Sequence, residues 1–423
     1  MNPRVAAISG RMFSALRFRN YRIYVGSQVI SFSGTWMQMI AQSWLVLELT
    51  GSGTALGTVM AMQFLPTLFL APVGGMIADR FDKRWLIIGT QSVAGSLALL
   101  LGIVTLAGVV ELWMVYAIAA GFGIVTAVDN PSRQTFVMEM VGPDDVTNAV
   151  TLNSVVVNAA RAIGPAIGGV LIASVGIGQC FVANAASYGV VVIGLLLIRR
   201  SELHPSARSK RAPGQLREGF RYAWSTPILR TTLVMLAIIG TLTYEFTTTL
   251  PLLSEFTFGA GASGLAAMTT LMGAGAVVGG LVVASLGAPT ERRLVRIATA
   301  FGLAVLAVSV MPSLLGVYLL MPLVGAASVG MISVSNATLQ LNSDPQLRGR
   351  VMALFSMSLL GSTPIGGPIV GAIGEHISPR FSLFIGGAAA LVAAAYGWSR
   401  LRAIVVDDRV AATGEQPALS ATR

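Results

Sequence analysis

A short polar link reveals how this chain is organised. Residues 75–84 read GMIADRFDKR and lie between two apolar runs, residues 54–78 and 85–108, neither of which contains a charged side chain in its interior. Each run is long enough to cross a hydrocarbon core of about 30 Å as a helix. The pattern predicts two membrane-spanning helices joined by a charged loop on one side of a bilayer.

The same alternation continues along the whole sequence. Turn-forming clusters, such as residues 50–53 and 142–145, separate further apolar runs of spanning length. The predicted spans, numbered 1 to 12 in chain order, are residues 22–47, 54–78, 85–108, 112–134, 146–174, 178–198, 230–253, 263–287, 294–312, 315–339, 350–374 and 381–399. We therefore expect an all-α polytopic membrane protein with 12 transmembrane helices.

Composition excludes several other classes of protein. Charged residues make up 11% of the 423 residues, against about 25% in a soluble domain. This scarcity excludes a soluble globule and a disordered chain, and a transmembrane barrel would show short alternating segments. Cys180 is the one cysteine, and the two histidines, His204 and His376, are far apart. We expect no metal site and no cofactor.

The basic residues predict the orientation of the chain. The even-numbered connections with their adjoining span ends, together with both tails, hold 26 of the 28 Lys and Arg residues. Of the other two, Arg380 lies in an odd-numbered connection and Arg161 inside a span. This positive-inside pattern predicts a multi-pass membrane protein with both termini in the cytoplasm, and the family resemblance described below implies the inner membrane of a bacterial cell. The net charge of +10 then reflects topology and not nucleic-acid binding, and we expect a monomer in the lipid bilayer.

A polar stretch divides the spans six and six. The expected units are a cytoplasmic N-terminal segment (1–21), an N-terminal six-helix half (22–198), a cytoplasmic linker (199–229), a C-terminal six-helix half (230–399) and a cytoplasmic tail (400–423). Within the linker, residues 215–225 are predicted to form an amphipathic helix on the anionic inner leaflet.

The two halves repeat one another. The matching pairs are Gly74-Gly75 with Gly279-Gly280, Asn130 and Gln134 with Asn336 and Gln340, and GPAIG at 164–168 with GPIVG at 367–371. Their offsets are 205, 206 and 203 residues, in the same order along the chain. The matches indicate a duplicated six-span unit.

In its polar link and its duplicated six-span unit, the chain resembles the major facilitator superfamily. Residues 75–84 are similar to its signature loop, Gly-x-x-x-Asp-Arg-x-Gly-Arg/Lys-Arg/Lys, with Asp82 where glycine is usual. More narrowly, the chain resembles the branch that includes the enterobactin exporter and macrolide and multidrug efflux pumps. The stretches that carry this resemblance are GTWMQ at 34–38, NPSRQ at 130–134, NAARAIGP at 158–165, YEF at 244–246, LPLL at 250–253 and RGRVMAL at 348–354.

The resemblance covers about residues 15–400 and implies a 12-span drug:proton antiporter. Spans 1, 4, 7 and 10 line the central cavity in the superfamily. Branch members often carry aspartate where Thr35 stands, so the resemblance supplies no coupling acid in span 1. Span 5 resembles the antiporter motif Gly-Pro-x-x-Gly-Gly at Gly164, Pro165, Gly168 and Gly169.

Charged residues inside the predicted spans are scarce. Apart from the basic residues among the first three of a span, they are Asp129, Arg133, Arg161 and Glu245. A charge near the bilayer centre costs about 2.5–3.5 kcal/mol even on insertion scales, so it is normally paired or functional. Glu245 shares one helical face with Thr241 and Thr248. It is either a protonation site that exchanges a proton for substrate, or a carboxylate fixed in a salt bridge or near the outer mouth.

Arg161 should have an acidic partner because it does not lose its proton, and Asp129 and Glu245 are the candidates. It either tunes a carboxylate, holds an anionic substrate or fixes helix packing. Asp129 and Arg133 are four residues apart and can pair with each other, the alternative for Arg133 being Asp79. The expected proton-coupling residues are Glu245, Arg161 and Asp129.

Polar stripes mark spans 1 and 10. Span 1 carries Gln28, Ser31, Thr35, Gln38 and Gln42 at steps of 3, 4, 3 and 4 residues. Lipid does not tolerate such a stripe, so it faces protein or water. The expected substrate-binding residues, with helix packing as the alternative for each, are Gln28, Ser31, Thr35, Trp36, Gln38, Gln42, Tyr244, Thr248, Asn336 and Gln340.

The resemblance also implies an inner gate. It makes Asp79 a latch near the N-terminus of span 11, with Arg80 and Arg84 at neighbouring span ends. The expected gating residues are Gly75, Asp79, Arg80, Arg84 and Arg133. Topology alone is the alternative role for these charges. The Gly-Pro motifs of spans 5 and 11 are expected to pack the two halves together, because small residues allow helices to approach closely.

These observations predict a secondary active transporter that works by alternating access. The expected activity is proton-coupled export of a small amphipathic molecule, such as a drug or a siderophore. A nutrient importer or facilitator is one alternative, since fold does not fix direction. A non-transporting membrane sensor or partner protein is another. An enzyme is not expected because clustered catalytic groups are absent.

Overall fold

The computed structural model describes residues 14–204, 215–287 and 289–413, and it folds them into helices without a β-strand. The helices are α1 (Arg19–Thr50), α2 (Gly53–Arg80), α3 (Lys83–Leu106), α4 (Leu112–Val175), α5 (Ile177–Leu196), α6 (Gln215–Ser225), α7 (Pro227–Leu242), α8 (Phe246–Leu252), α9 (Gly261–Ser285), α10 (Glu291–Val310), α11 (Leu314–Leu341), α12 (Arg348–Leu360), α13 (Thr363–His376) and α14 (Pro379–Thr413). Short helical turns lie at Ser14–Arg17, Arg200–Glu202 and Leu253–Thr257. Parts of the predicted tails and linker, residues 1–13, 205–214 and 414–423, lie outside the described residues.

The structure confirms an all-helical polytopic architecture. Ten stretches of the described chain are long and apolar enough to cross a membrane. The 32-residue helix α1 is not among them, and its polar stripe lowers its mean hydropathy. Helix α4 counts as a single stretch although its backbone is not helical at Gly142. The count of twelve spans stays a prediction.

Gly142 divides α4 into two arms, residues 112–141 and 143–175. Its backbone angles, φ 73° and ψ 176°, lie in a region that glycine enters easily and other residues do not. Pro143 follows and has no N–H to continue the helical hydrogen bonds. The sequence predicted a link at this point, and the local chemistry of glycine and proline explains it.

The polar link between α2 and α3 is tied to the end of α5. Asp82 caps α3 by accepting a hydrogen bond from a backbone N–H of its first turn, and Arg200 Nη2 donates to the same carboxylate at 3.0 Å. Arg84 donates to the carbonyl oxygens of Leu195 and Leu196 at 2.7 and 2.9 Å. The departure from the superfamily loop at Asp82 therefore has a structural role.

The helices before and after the linker meet along two seams, α2 with α13 and α4 with α9. In the first seam, Gly53 and Gly57 approach the backbone of Gly371 and Gly367 so closely that an added Cβ would collide with a carbonyl group. In the second, a Cβ on Gly273 would lie 2.6 Å from Ala162 Cα. Glycines of both Gly-Pro segments therefore lie at or beside the seams.

Glu375 bridges the first seam at its far end. Its Oε2 accepts hydrogen bonds from Ser52 Oγ at 2.7 Å, from Thr54 N at 2.9 Å and from Thr54 Oγ1 at 2.7 Å. Ser52 is also the N-cap of α2. A carboxylate of α13 thus caps the first turn of α2, where the helix dipole favours negative charge.

The linker helix α6 has the bounds that the sequence predicted. Phe220 and Trp224 stack with ring centroids 5.3 Å apart and are 52% and 48% exposed. Glu218 pairs with Arg350 of α12 at 2.6 Å. Helix α6 thus bears a polar contact to α12 and exposed aromatic rings, as an amphipathic helix would at a membrane surface.

Candidate functional site

The seventh predicted span is interrupted near its middle. Helix α7 ends at Leu242 and α8 begins at Phe246. Thr243 Oγ1 donates to Gly386 O of α14, and Tyr244 Oη donates to Ser328 O of α11, both at 2.7 Å. These bonds anchor the interruption to two other helices. The single continuous helix that the sequence predicted here is therefore wrong.

Glu245 is the last residue of this interruption and is 1% exposed. Its carboxylate faces α13: Oε1 lies 3.0 Å from the point that a Cβ on Gly366 would occupy, and Oε2 lies 3.5 Å from that point on Gly367. The Thr363 hydroxyl is a polar neighbour of this carboxylate, and no described residue forms a hydrogen bond of ordinary length and angle with either oxygen. Glu245 therefore occupies a site walled by glycine backbone.

Thr241 and Thr248 flank this carboxylate on either side of the helix break. The Thr241 carbonyl approaches Gly366, and Thr248 Cγ2 lies 3.2 Å from the point that a Cβ on Gly371 would occupy. All three residues lie beside α13, Thr241 through its backbone carbonyl, but they do not share the single helical face that their spacing predicted. Thr248 Oγ1 has no hydrogen-bond partner among the described groups.

Arg161 lies in the second arm of α4, and its guanidinium carbon is 4.7 Å from the centroid of the Trp36 ring. Within the described residues it forms no salt bridge, and Asp129 and Glu245 do not pair with it. The acidic partner that the sequence predicted is absent there because Asp129 is bonded elsewhere and Glu245 faces α13. The Trp36 ring contributes a cation–π contact to Arg161.

Trp36 and Arg161 border a cavity of about 40 Å³ between α1, α4, α8 and α9. We call it the Trp36 cavity. Arg161 is the one charged residue of its lining. The lining residues are Trp36, Met39, Ile40, Ser43, Arg161, Pro165, Phe246, Thr247, Pro251, Leu265, Thr269 and Met272.

Gly164 leaves the room that Trp36 needs. A Cβ on Gly164 would lie 2.6 Å from Trp36 Cβ and 2.6 Å from Ser33 O. Trp36 Cβ and the α1 backbone are tightly packed, so neither can shift to make room without a cost in free energy. This glycine of the Gly-Pro segment therefore sets how closely α4 approaches α1, and so where the Trp36 ring lies.

Asp129 is fully engaged inside the first six helices. Its Oδ2 lies 2.5 Å from Arg133 Nε, and its Oδ1 accepts hydrogen bonds from Thr90 Oγ1 at 2.6 Å and from Gln91 Nε2 at 3.0 Å. Arg133 also donates to Gln28 Oε1. The pairing of Asp129 with Arg133 is confirmed, and it makes Asp129 part of a fixed polar network.

The polar stripe of α1 faces protein. Gln38 Oε1 accepts a hydrogen bond from Asn184 Nδ2 at 2.6 Å, and Thr35 Oγ1 donates to Ser31 O at 2.9 Å. Gln28, Ser31 and Gln42 are buried. Of the predicted substrate-binding residues of α1, Trp36 lies in the cavity lining, whereas the stripe itself contacts neighbouring helices.

The remaining predicted residues lie away from this cavity. In α11, Gln340 Nε2 donates to Asn336 Oδ1 at 2.5 Å, and Gln340 is exposed. Gly75 and Asp79 lie in the last turns of α2, which ends at the exposed Arg80. Arg84 makes the contact with a neighbouring helix end that was expected of it. The gating role of these residues stays a prediction.

Sequence reasoning missed part of the cavity. Ser43, Thr247, Leu265, Thr269 and Met272 line it but were not predicted. Leu265, Thr269 and Met272 are spaced by four and three residues on α9, which is the same spacing that marked the stripe of α1. That spacing was the available signal, but an apolar face in a membrane helix looks the same whether it meets lipid or a cavity.

Comparison with known proteins agrees with this geometry. A profile of the family described as transmembrane secretion effector matches residues 11–420. The chain is 26% identical to the staphyloferrin A transporter of Staphylococcus aureus over 355 residues, 82% of this chain and 87% of that one. It is also 26% identical to the multidrug efflux pump Tap of Mycobacterium tuberculosis over 368 residues, 82% of this chain and 86% of Tap.

A solved structure supports the fold. The crystal structure of the nucleoside transporter NupG matches 91% of this chain and 99% of its own length with a TM-score of 0.73, at 11% sequence identity. At that identity the likeness concerns architecture alone.

Proposed function

Because the chain belongs to the transmembrane secretion effector family of major facilitator transporters, we propose that it exports a small amphipathic molecule in exchange for protons. Transport is the function that the family and its efflux relatives support. The proton, the direction and the class of substrate are our proposal. Export of drugs or siderophores is supported by relatives whose names describe a multidrug efflux pump and a siderophore transporter.

The observation that carries the coupling proposal is the position of Glu245. A negative charge is costly on a carboxyl group that is 1% exposed and that has no ion pair and no hydrogen bond of ordinary length and angle among the described residues. Interrupted helices near the bilayer midplane are where transporters commonly bind ions and substrates. We assign the exchanged proton to Glu245.

Arg161 and Asp129 take different parts in the proposal. Asp129 is neutralised by Arg133 and two hydrogen bonds, so it stabilises the N-terminal half and is a weaker candidate for the coupling proton. Arg161 carries a charge that no described carboxylate balances. It is the residue through which a substrate can affect the electrostatics of the membrane interior.

The packing supports alternating access with the opening on the cytoplasmic side. With both termini in the cytoplasm, the Gly53–Gly371 contact and the Glu375 bridge close the outer end. Helix α2 packs along α13, whereas it makes only slight contact with α12, which begins at the opposite end. The protein would release its substrate outward only after this outer seam opens.

Two experiments test the proposal. A deletion strain is profiled for loss of export across drugs and siderophores, which identifies a substrate. Everted membrane vesicles then receive that substrate while a pH-sensitive dye reports the vesicle interior, which is acid at the start. Substrate uptake accompanied by loss of interior protons supports antiport. Uptake without proton movement contradicts coupling, and net movement in the opposite direction favours the importer.

A further inference from the structure

We propose that the Trp36 cavity binds the anionic group of the transported molecule, so that the substrates are amphipathic organic anions with a carboxylate beside an aromatic or aliphatic body. The inference rests on the proposed function, since it names the substrate class of the transport site. Its basis is the lining of the cavity: one guanidinium, several apolar side chains and no acidic group.

The charge of the lining determines which ligand is recognised. The guanidinium group of Arg161 offers five N–H donors and no acceptor. Among the described residues no carboxylate and no carbonyl oxygen bonds to it, and the Trp36 ring covers one of its faces. A carboxylate would supply the missing acceptor in the planar, two-oxygen form that guanidinium groups bind best.

A cationic or neutral ligand should bind in the Trp36 cavity less tightly than an anion. A cation would meet Arg161 in a lining that holds no negative side chain, and like charges repel strongly where water is scarce. A neutral ligand would leave the half-buried Arg161 without a counter-ion. Glu245 is not part of the lining, so Arg161 of α4 recognises the anion and Glu245, in the break between α7 and α8, carries the proton.

The size of the cavity limits what enters it. A water molecule needs about 10–15 Å³ of such space, so a cavity of about 40 Å³ admits a carboxylate or a few waters, but not a whole drug. The rest of the ligand must extend beyond the cavity. Phe246, Met272 and Met39 are apolar residues of the lining, and methionine and aromatic side chains suit ligand bodies of varied shape.

The test uses three fluorescent probes that share one aromatic body. They are 1-naphthylacetate, 1-naphthylacetamide and 1-naphthylmethylammonium, and they carry a negative charge, no charge and a positive charge. The purified full-length protein is placed in nanodiscs of phosphatidylcholine alone, so that no anionic lipid headgroup competes. Adding phosphatidylglycerol in a second set measures whether lipid is an alternative source of the anion.

We expect the anion to bind at least about tenfold more tightly than the amide, and the cation to bind most weakly. Arg161→Gln should remove the preference for the anion and keep the affinity for the amide, while Arg161→Lys should retain part of the preference. Arg380→Gln is the matched control, because Arg380 also lies over a ring, Phe258 at 5.3 Å, but outside the cavity.

The inference is overturned if the wild-type protein binds the amide or the cation as well as the anion, or binds none of the three. It is also overturned if Arg161→Gln keeps the anion preference. The wild-type comparison decides the matter even if the glutamine variant does not fold. Glu245→Gln should keep the anion preference, so a failure of proton coupling and a failure of anion recognition give different results.

Discussion

The guanidinium carbon of Arg161 lies 4.7 Å from the centroid of the Trp36 ring, and this contact joins α4 to α1 at the edge of a small cavity. An arginine within a membrane span normally has a carboxylate partner, and half-buried Arg161 instead contacts an aromatic ring among the described residues. The ring stabilises the cation without neutralising it, so the positive charge stays available to a ligand.

Replacing Trp36 should weaken the binding of 1-naphthylacetate. Trp36→Ala removes the ring that holds the Arg161 guanidinium at the cavity, so we expect a loss of about 2- to 30-fold in affinity for the anion, which corresponds to about 0.5–2 kcal/mol. Trp36→Phe should lose less because a ring remains. The measurement is a fluorescence titration in nanodiscs. Trp113→Ala is the control, since Trp113 is exposed and bonds to Glu111 at the surface. Equal affinity in Trp36→Ala and wild type would contradict the role of the ring.

Gly164→Ala should displace the Trp36 side chain. The added methyl group would lie 2.6 Å from Trp36 Cβ, and overpacking of this kind costs about 1–3 kcal/mol. We expect a lower thermal midpoint together with weaker binding of the anionic probe. Gly189→Ala is the matched control, because a Cβ there has nothing within 4 Å. Equal thermal midpoints and equal affinities for the anionic probe in Gly164→Ala and Gly189→Ala would contradict this role of Gly164.

Glu375→Ala should weaken the closure of the outer seam. The change removes an acceptor of three hydrogen bonds at the start of α2, and loss of such a cap costs about 0.5–2 kcal/mol. The population that is open outward should rise by about 2- to 30-fold.

The readout is a cysteine placed at Thr247 in the cavity lining, in a background with Cys180→Ser. A thiol reagent that does not cross membranes should label this cysteine faster in intact cells when Glu375 is absent. Glu111→Ala, which removes a surface carboxylate bonded to Trp113, should leave the labelling rate unchanged. Slower or unchanged labelling in Glu375→Ala would show that the bridge does not hold the seam closed.

Asp129→Asn should destabilise the protein. It leaves Arg133 buried without its partner at 2.5 Å, and breaking one side of a buried pair costs about 3–5 kcal/mol. The thermal midpoint should fall, whereas the protein that still folds should keep its proton exchange. The double change with Arg133→Gln should cost less than the sum of the two single changes, because the unpaired charge is then removed. Normal stability with lost proton exchange would instead make Asp129 the coupling acid.

The sequence predicted the architecture because its signals are local or repeated. Apolar runs, basic connections and the duplicated Gly-Pro segments each depend on residues close together in the chain. The seam glycines were predictable for the same reason: Gly367 and Gly371 belong to the repeated motif, and small residues mark close helix contacts.

The candidate site was only partly predictable. The spacing of Thr241, Glu245 and Thr248 also fits an uninterrupted helix, so the break depends on bonds to Gly386 and Ser328, far along the chain. The prediction that Arg161 pairs with an acidic residue was wrong for a similar reason. Sequence identifies the available acids, but not that Thr90 and Gln91 of α3 help to hold Asp129 beside Arg133.

The central claim is that Glu245 carries the exchanged proton, and reconstituted vesicles test it most directly. Wild-type protein, Glu245→Gln and the control Glu255→Gln are compared in two assays, net transport driven by a pH gradient and substrate-for-substrate exchange without a gradient. Glu255 is a partly exposed carboxylate ten residues further on, in the turn Leu253–Thr257 just beyond the predicted seventh span. The account predicts that Glu245→Gln loses net proton-driven transport and keeps substrate exchange, while Glu255→Gln keeps both. Proton-driven transport at the wild-type rate in Glu245→Gln would contradict it.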